Sequence, residues 1–415
     1  MASVSLHRPN AASAEFAAQG GVHRVTFRRT PRWRFAATGV GCAVAMATLA
    51  RLMSYIPDRV EELYANGIGA RISQALSTLT GVAPFSFAEL LIAFVVLWLL
   101  APAIPVVYAV LARRRGVRNA VACGAARTAG FMGFLVAIFY LCWGFNYSRA
   151  ALPLRIGWDD SGLAALPRMG TREDRDELVA LCTQLVFITN HYYTVATGTP
   201  EAEGRSELKA TVAEIDEALE TGFARAARLL DLDPSFAQTR GPAKAVLASR
   251  LMSRLGVAGF YSPWTGEANY NYELPPFQLP LTIAHEKAHQ RCVSSEDEAN
   301  FFGFLACALS DNPYTRYSGY LFAQRQLLNE LIRIDPAAAR ALIALRCKGV
   351  QSDVLYSKFF WRIFGGRAQD LGRAVNDAYL KANRVDAGML SYQMSARLLV
   401  LFSRQYDGTC VVSSD

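Results

Sequence analysis

The segment LPLTIAHEKAHQRCVSSEDEANFFGFLAC, residues 279–307, contains two of the five histidines of the chain, placed four residues apart. Residues four apart share one face of an α-helix, so His285 and His289 can both reach one ion. Glu286 follows the first histidine, where zinc-dependent hydrolases carry a general base. The alternative is a polar helix that holds two histidines by coincidence. The apolar residues before His285 argue against it, because unpaired histidines on a buried helix would be costly. The segment therefore predicts a zinc site.

A zinc site that activates water needs a third protein ligand, commonly a carboxylate. The acidic run that follows begins a second predicted helix, on which Glu296 and Asn300 share a face at about 100° per residue. Glu298 points away from that face and could close a capping box with Ser295. We therefore predict Glu296 as the third ligand and Asn300 as a residue that orients a ligand histidine. Glu298 and Cys292 remain alternative ligands.

Three apolar runs precede residue 148, at residues 35–56, 85–111 and 129–145. A membrane-spanning helix needs about 20 mostly apolar residues, so each run is long enough or nearly so. Three buried helices of a large soluble core are the alternative. Aromatic residues near the ends of the runs favour membrane spans, because such residues concentrate at the membrane interface.

The charge distribution predicts how these spans are oriented. Residues 1–34 hold six arginines and one acid, and the loop of residues 112–127 holds five arginines and no acid. The loop between the first two spans carries a net charge of −1. The positive-inside rule then places the basic segments in the cytoplasm and everything after the third span outside. These two segments account for more than the whole net charge of +8, so we expect no nucleic-acid partner.

The chain after the third span is mostly helical in pattern, and it contains one Gly-, Pro- and aromatic-rich stretch directly before the histidines. Within that stretch, residues 267–273 are predicted to form a short strand that ends before Pro275 and Pro276. A strand followed by prolines is predicted to lie at a sheet edge, where it could bind the main chain of a peptide substrate by strand addition. The substrate-binding residues predicted on this strand are Glu267, Ala268, Asn269 and Tyr270.

Catalysis of peptide hydrolysis also needs a donor that stabilises the developing oxyanion. Tyr317 and Tyr392 are the candidates, although a tyrosine on an apolar helix is commonly a core residue. The five cysteines after residue 147 match no disulfide framework, and a bridge between Cys347 and Cys410 is possible in an oxidising compartment.

Two resemblances extend these predictions. The pattern His285-Glu286-Lys287-Ala288-His289, followed by residues 296–300 (EDEAN), resembles the gluzincin metallopeptidases, whose membrane-bound branch has its third ligand in a Glu-x-x-Ala-Asp motif. Asn300 stands where that branch has Asp, which removes a charge from the group that orients a histidine and could weaken zinc binding. Stretches such as CWGFNYSRAALPL (142–154), GEANYNYELP (266–275) and RYSGYLFA (316–323) carry a wider resemblance. Over most of residues 85–405 the chain is similar to a bacterial multi-pass membrane family of unknown function.

Together these observations predict a mainly α protein with three N-terminal transmembrane helices followed by an α-rich, zincin-like (gluzincin) extracytoplasmic domain with a short edge strand. The expected segments are a basic cytoplasmic tail (1–34), a membrane domain (35–147) and a metallopeptidase domain (148–415). The location implied is the bacterial plasma membrane.

The predicted function is a membrane-anchored, Zn²⁺-dependent endopeptidase that cleaves extracytoplasmic peptide or protein, with membrane lipid as the other partner. A non-catalytic, zinc-stabilised envelope or assembly protein is the alternative, and Glu286 argues against it, because a structural zinc site needs no general base. A transporter is a weaker hypothesis, suggested by the isolated Glu89 in the second apolar run.

Overall fold

The computed structural model describes residues 32–112, 117–158, 172–382 and 395–412. Most of the predicted N-terminal tail and the whole region around Tyr392 lie outside these residues. The helices of the first half are α1 (Arg32–Met53), α2 (Pro57–Arg59), α3 (Gly69–Gly81), α4 (Phe87–Leu100), α5 (Ala103–Leu111), α6 (Val117–Cys142), α7 (Leu152–Arg155), α8 (Arg172–Thr197) and α9 (Val212–Leu229). Those of the second half are α10 (Pro234–Ala237), α11 (Ser249–Leu255), α12 (Leu279–Gln290), α13 (Glu296–Ala308), α14 (Pro313–Ile334), α15 (Pro336–Ala344), α16 (Lys348–Ile363), α17 (Arg367–Ala382) and α18 (Ser395–Gln405). The fold is therefore mainly helical, as predicted.

Three helical segments are long and apolar enough to cross a membrane: Trp33–Met53, Phe87–Leu111 and Val117–Cys142. The second combines α4 and α5, and none of its most apolar stretch is buried inside the protein. Large side chains such as Leu97 and Ile104 are exposed along it. A continuous apolar surface of this kind is typical of helices that face lipid.

The core of the remaining chain is built around α13, whose residues from position 298 to its end are all buried. The helix packs against α9, α12, α14 and α18, while α14 packs along α8. A helix that is apolar around its whole circumference must be covered on all sides. Helix α13, which directly follows the histidine helix α12, is therefore central to the fold.

Three short strands form a sheet beside α12: β1 (Lys244–Ala245), β2 (Gly259–Ser262) and β3 (Glu267–Tyr270). The strand order is β1-β3-β2, with β3 parallel to β1 and antiparallel to β2. The strand predicted at residues 267–273 is present as β3 (Glu267–Tyr270), but its predicted edge position is wrong, because β3 is paired on both sides and fully buried. The two prolines lie beyond its last residue and leave the ladder intact. Among the described residues, β2 has a strand on only one side and is the edge near α12.

The segment between the first two apolar helices packs against the chain that follows the third. The Ser73 hydroxyl donates to the Gln290 carbonyl at 2.6 Å, and the Thr80 hydroxyl donates to the Thr265 carbonyl at 3.1 Å. Tyr64 in turn donates to the Leu141 carbonyl at 2.9 Å. Residues 57–81 belong by sequence to the predicted membrane domain, yet they form part of the support of the histidine helix.

The start of α4, in the second apolar helix, is joined to the sheet and to α11 by two carboxylates that each cap the N-terminus of a helix. The Glu267 carboxylate of β3 accepts hydrogen bonds from the backbone N–H groups of Phe87 and Ala88 and pairs with Lys244. Glu89 accepts from the backbone N–H groups of residues 247 and 248, at the start of α11. Helix N-termini carry unpaired N–H groups that carboxylates stabilise. Glu89, the basis of the transporter hypothesis, therefore has a structural role.

The cysteine prediction can be compared directly with the structure. All eight cysteines are free thiols, so the suggested bridge between Cys347 and Cys410 is absent. Cys410 is fully buried, and its thiol donates instead to the Leu399 carbonyl.

Candidate metal centre

The two histidines lie on one face of α12, which begins at Leu279 with Pro280 in its first turn. A short connection leads to α13, which starts at Glu296 and returns antiparallel along α12. The helices approach closely at Gly303, where an added Cβ would lie 3.2 Å from the His285 backbone nitrogen. This small residue therefore allows the start of α13 to reach the histidine face.

Hydrogen bonds to the far side of each imidazole ring set the orientation of both histidines. His289 Nδ1 lies 2.6 Å from the Val293 carbonyl oxygen, and His285 Nδ1 lies 3.0 Å from Asn300 Oδ1. Because both oxygens are acceptors, each Nδ1 is the donor. The Nε2 atoms then present lone pairs, which is the form in which imidazole binds a metal. Asn300 occupies the orienting position that the sequence predicts.

The Glu296 carboxylate completes a group of three candidate ligands with these rings. Its Oε2 atom lies 3.1 Å from His285 Nε2 and 3.8 Å from His289 Nε2, and the two Nε2 atoms are 3.1 Å apart. Ligand atoms about 2.0–2.1 Å from a tetrahedral zinc ion lie roughly 3.3 Å apart, so the observed spacing fits. Glu296 Oε2 is also buried without a hydrogen-bond donor among the described residues. These three acceptor atoms converge on one point, so the cluster can hold a cation between them.

The electrostatics of the cluster also favour positive charge. Burial alone would raise the pKa of Glu296, but the close contacts of its carboxylate with the His285 and His289 rings hold that pKa far below its ordinary value. Burial would lower the pKa of His289, yet the neighbouring Glu296 carboxylate raises it to about 9. A proton on His289 thus stabilises the carboxylate, and a bound metal ion would displace that proton.

The Glu286 side chain is buried and lies against Gly259 of β2. Burial raises the pKa of its carboxyl group to about 7, with Glu296 adding to the shift and the two histidines opposing it. None of the described residues donates a hydrogen bond to this carboxylate. At Gly259 of β2 an added Cβ would lie 2.7 Å from Glu286 Oε1. A glycine in the edge strand therefore leaves the space that the carboxylate occupies, which the sequence did not predict.

The C-terminal end of α12 is held by donors from membrane-proximal segments. Trp143 Nε1 donates to the His289 carbonyl at 3.2 Å, and Arg149 donates to the Cys292 carbonyl at 2.6 Å. Together with the Ser73 hydroxyl on Gln290, these contacts satisfy carbonyls that a helix end leaves unpaired. The position of the histidines thus depends on residues at the end of the third apolar helix and between the first two. No spacing in the sequence could identify them, because the contacts join positions more than 140 residues apart.

Two alternatives for the third ligand have other roles in the structure. Glu298 accepts from the Leu152 backbone N–H at 2.7 Å and forms a buried ion pair with Arg155. The capping box predicted between Glu298 and Ser295 is absent. Cys292 lies outside the metal cluster, in a small buried group with two alanines.

Tyr317, one of the two predicted oxyanion donors, is engaged elsewhere in the structure. Tyr317 is fully buried in a separate cluster, where its hydroxyl donates to Asp353 at 2.7 Å. That hydroxyl already has an acceptor, so the prediction for Tyr317 is wrong. Tyr392 lies outside the described residues.

The predicted substrate-binding residues of β3 are buried inside the protein. Glu267 caps α4, the Asn269 side chain accepts from the Ser86 hydroxyl at 2.6 Å, and Ala268 and Tyr270 are buried. A strand with partners on both edges cannot add a third chain by main-chain pairing. The prediction therefore fails for these four residues, and β2 is the strand with an edge beside Glu286.

The model of a family described as "Protein of unknown function (DUF3810)" matches residues 64–400. The chain belongs to this family. The match includes the second and third apolar helices, the sheet and every residue of the candidate metal centre. It also includes most of the segment between the first two apolar helices, consistent with the contacts of that segment to α12. No curated protein and no solved structure matches the chain.

Proposed function

We propose that the protein is a membrane-anchored zinc endopeptidase that hydrolyses extracytoplasmic peptide or protein. The observation that carries this proposal is the convergence of His285 Nε2, His289 Nε2 and Glu296 Oε2, with the Glu286 carboxylate beside them. Three protein ligands with one open position are typical of catalytic zinc sites, whereas structural sites are closed by four. Among the described residues the metal cluster contains three.

Zinc bound by these ligands would lower the pKa of a water molecule and polarise the substrate carbonyl. Glu286 then has the role of a general base: a carboxylate oxygen accepts a proton from the water and passes it to the leaving nitrogen. Asn300 and the Val293 carbonyl keep both rings in the tautomer that leaves Nε2 free.

The unpaired edge of β2 favours the hypothesis of a peptide substrate over that of a compact small molecule. Its residue Gly259 lies against Glu286, so a chain paired with β2 would pass next to the proposed base. Strand addition supplies main-chain hydrogen bonds that are independent of sequence. We therefore transfer the substrate-binding role predicted for β3 to β2 (Gly259–Ser262).

The extracytoplasmic location rests on the charge asymmetry together with the packing. The segment between the first two spans and the chain after the third pack together, as they must if three helices cross one bilayer. The basic segments, residues 1–34 and 112–127, then lie together on the other side, which the positive-inside rule assigns to the cytoplasm.

The test uses the full-length protein in detergent, because membrane-proximal residues hold α12. Metal content by elemental analysis and cleavage of a broad peptide library would be measured for the wild type and for Glu286→Gln. We expect about one zinc per chain in both proteins and a roughly 10²–10⁴-fold lower turnover in the variant. Zinc without any cleavage by the wild type would support the structural role instead. Equal turnover by the variant would exclude Glu286 as the base.

A further inference from the structure

A cavity of about 290 Å³ lies beside the histidine helix, between α12, α14 and α16. Apolar side chains form much of its wall: Phe277, Leu281, Leu321, Phe322 and Trp361. The volume is at the small end for ligand pockets and fits a single side chain or a terminal residue better than a cofactor.

The cavity adjoins the candidate metal centre on two sides. Leu281 lines the cavity and lies four residues before His285, and Thr282 lines it and lies four residues before Glu286. The two members of each pair therefore share a face of α12, about one helical turn, roughly 5 Å, apart. Ala258 lines the cavity as well and directly precedes Gly259, which contacts Glu286. A peptide that reaches the metal centre can therefore place a neighbouring side chain in this cavity.

One basic side chain in this wall has no partner. Arg325 is half-buried on α14, and it forms no ion pair or hydrogen bond with any described residue. Burial lowers the pKa of Arg325, and only the nearby Tyr317 opposes that shift. Burial and the nearby Arg325 lower the pKa of Arg346, whose Nε donates to the neutral Gln324 side chain rather than to an acid. Two neighbouring guanidinium groups without an acidic partner among the described residues make this region attractive to an anion.

A second polar side chain in the same wall, that of Gln278, is only partly paired. Gln278 Oε1 is buried without a hydrogen-bond donor among the described residues, while its Nε2 donates to the Ser357 hydroxyl at 2.8 Å. Buried polar atoms are normally paired, so an unpaired acceptor and an unpaired cation in the wall of one cavity suggest a ligand that complements both. A peptide carboxylate next to a backbone N–H has this composition.

We propose that this cavity is a specificity pocket in which Arg325 binds a carboxylate group of the substrate, an inference that rests on the proposed peptidase function. The planar guanidinium binds carboxylates through two parallel hydrogen bonds, and the apolar wall would pack the aliphatic stem. The carboxylate can come from an acidic side chain or from the C-terminus of the peptide. Hydrolysis itself is unchanged: water adds across the peptide bond, which yields a new carboxylate and a new amine.

Binding is measured on the full-length protein in detergent, loaded with zinc and carrying Glu286→Gln, so that turnover does not interfere. One peptide pair differs by an internal Glu or Gln with an amidated C-terminus. A second pair lacks acids and differs by a free or amidated C-terminus. We expect one of the two carboxylate peptides to bind roughly 10–100-fold more tightly than its neutral partner, and the pair that shows the preference identifies its source.

Three variants assign this preference to the pocket. Arg325→Gln should abolish it, whereas Arg340→Gln, the same change on the exposed face of α15, should leave it intact. Arg325→Glu should reverse it in favour of a Lys-containing peptide, which a merely misfolded protein would not do. A carboxylate preference that persists in Arg325→Gln overturns the proposal.

The outcome separates this proposal from the peptidase function. An Arg325-dependent preference without cleavage by the wild type would leave the pocket in place and exclude the endopeptidase. Cleavage without an Arg325-dependent preference would exclude the pocket alone. A protein that neither binds nor cleaves any of the peptides would overturn both.

Discussion

The two nearby glutamates of α13 give the sharpest test of the metal centre, because the structure assigns them opposite roles. Glu296→Gln keeps the shape of the side chain but removes the charge that attracts the cation. Losing an outer hydrogen-bond partner of a ligand costs roughly 10–100-fold in metal affinity, and losing a ligand should cost more. We therefore expect Glu296→Gln to lose zinc while the fold is retained.

Glu298→Gln should have the reverse effect. The substitution removes a buried carboxylate that pairs with Arg155, whose other acidic contact, Glu61, lies 3.4 Å away. Breaking a buried ion pair costs about 3–5 kcal/mol, and the remaining Glu61 contact favours the lower figure, about 3 kcal/mol. The Leu152 N–H can keep an acceptor in the amide oxygen. We expect zinc to stay bound and the melting temperature to fall by about 5 °C.

Both variants would be purified full-length in detergent and compared with the wild type. Metal content is read by elemental analysis, affinity by competition with a zinc chelator, and stability by intrinsic fluorescence on heating. The assignment would be refuted if Glu296→Gln bound zinc as tightly as the wild type. It would equally be refuted if Glu298→Gln lost zinc at an unchanged melting temperature.

Three further predictions concern the base, the topology and the domain boundary. Gly259→Ala should retain zinc and lose turnover, since the new Cβ would lie 2.7 Å from Glu286 Oε1. The control is Gly41→Ala, because Gly41 has open space around it. Equal kcat values in the two variants would contradict the prediction. A cysteine at the exposed Glu207 should react with an impermeant thiol reagent in intact cells, and reaction only after lysis would reverse the topology. A fragment of residues 148–415 should fail to fold, because it lacks Ser73 and Trp143, which hold the end of α12, and helix α3, which packs against β3. A monomeric, zinc-binding fragment with a cooperative melting transition would show that those contacts are dispensable.

Features that depend on local spacing were predictable from the sequence. The lengths of three apolar runs correspond to three helices that can cross a membrane. The four-residue interval between His285 and His289 places both on one face of α12. The same angular reasoning selected Glu296 over Glu298, and the structure brings Glu296 to the histidines. Each of these follows from the geometry of a single helix, which the sequence alone determines.

Contacts between distant parts of the chain were decided only by the tertiary structure. β3 is central because the two-residue strand Lys244–Ala245 pairs with its second edge, and so short a strand has no recognisable pattern. The hydrogen bond from Tyr317 to Asp353 and the ion pair of Glu298 with Arg155 likewise join residues that no local sequence pattern connects. The periodicity of a segment shows which of its faces is apolar, but not which partner covers that face. Arg325 is an ordinary basic residue of a helix until folding surrounds it with a cavity and leaves it without an acid, because burial and pairing are properties of the assembled chain.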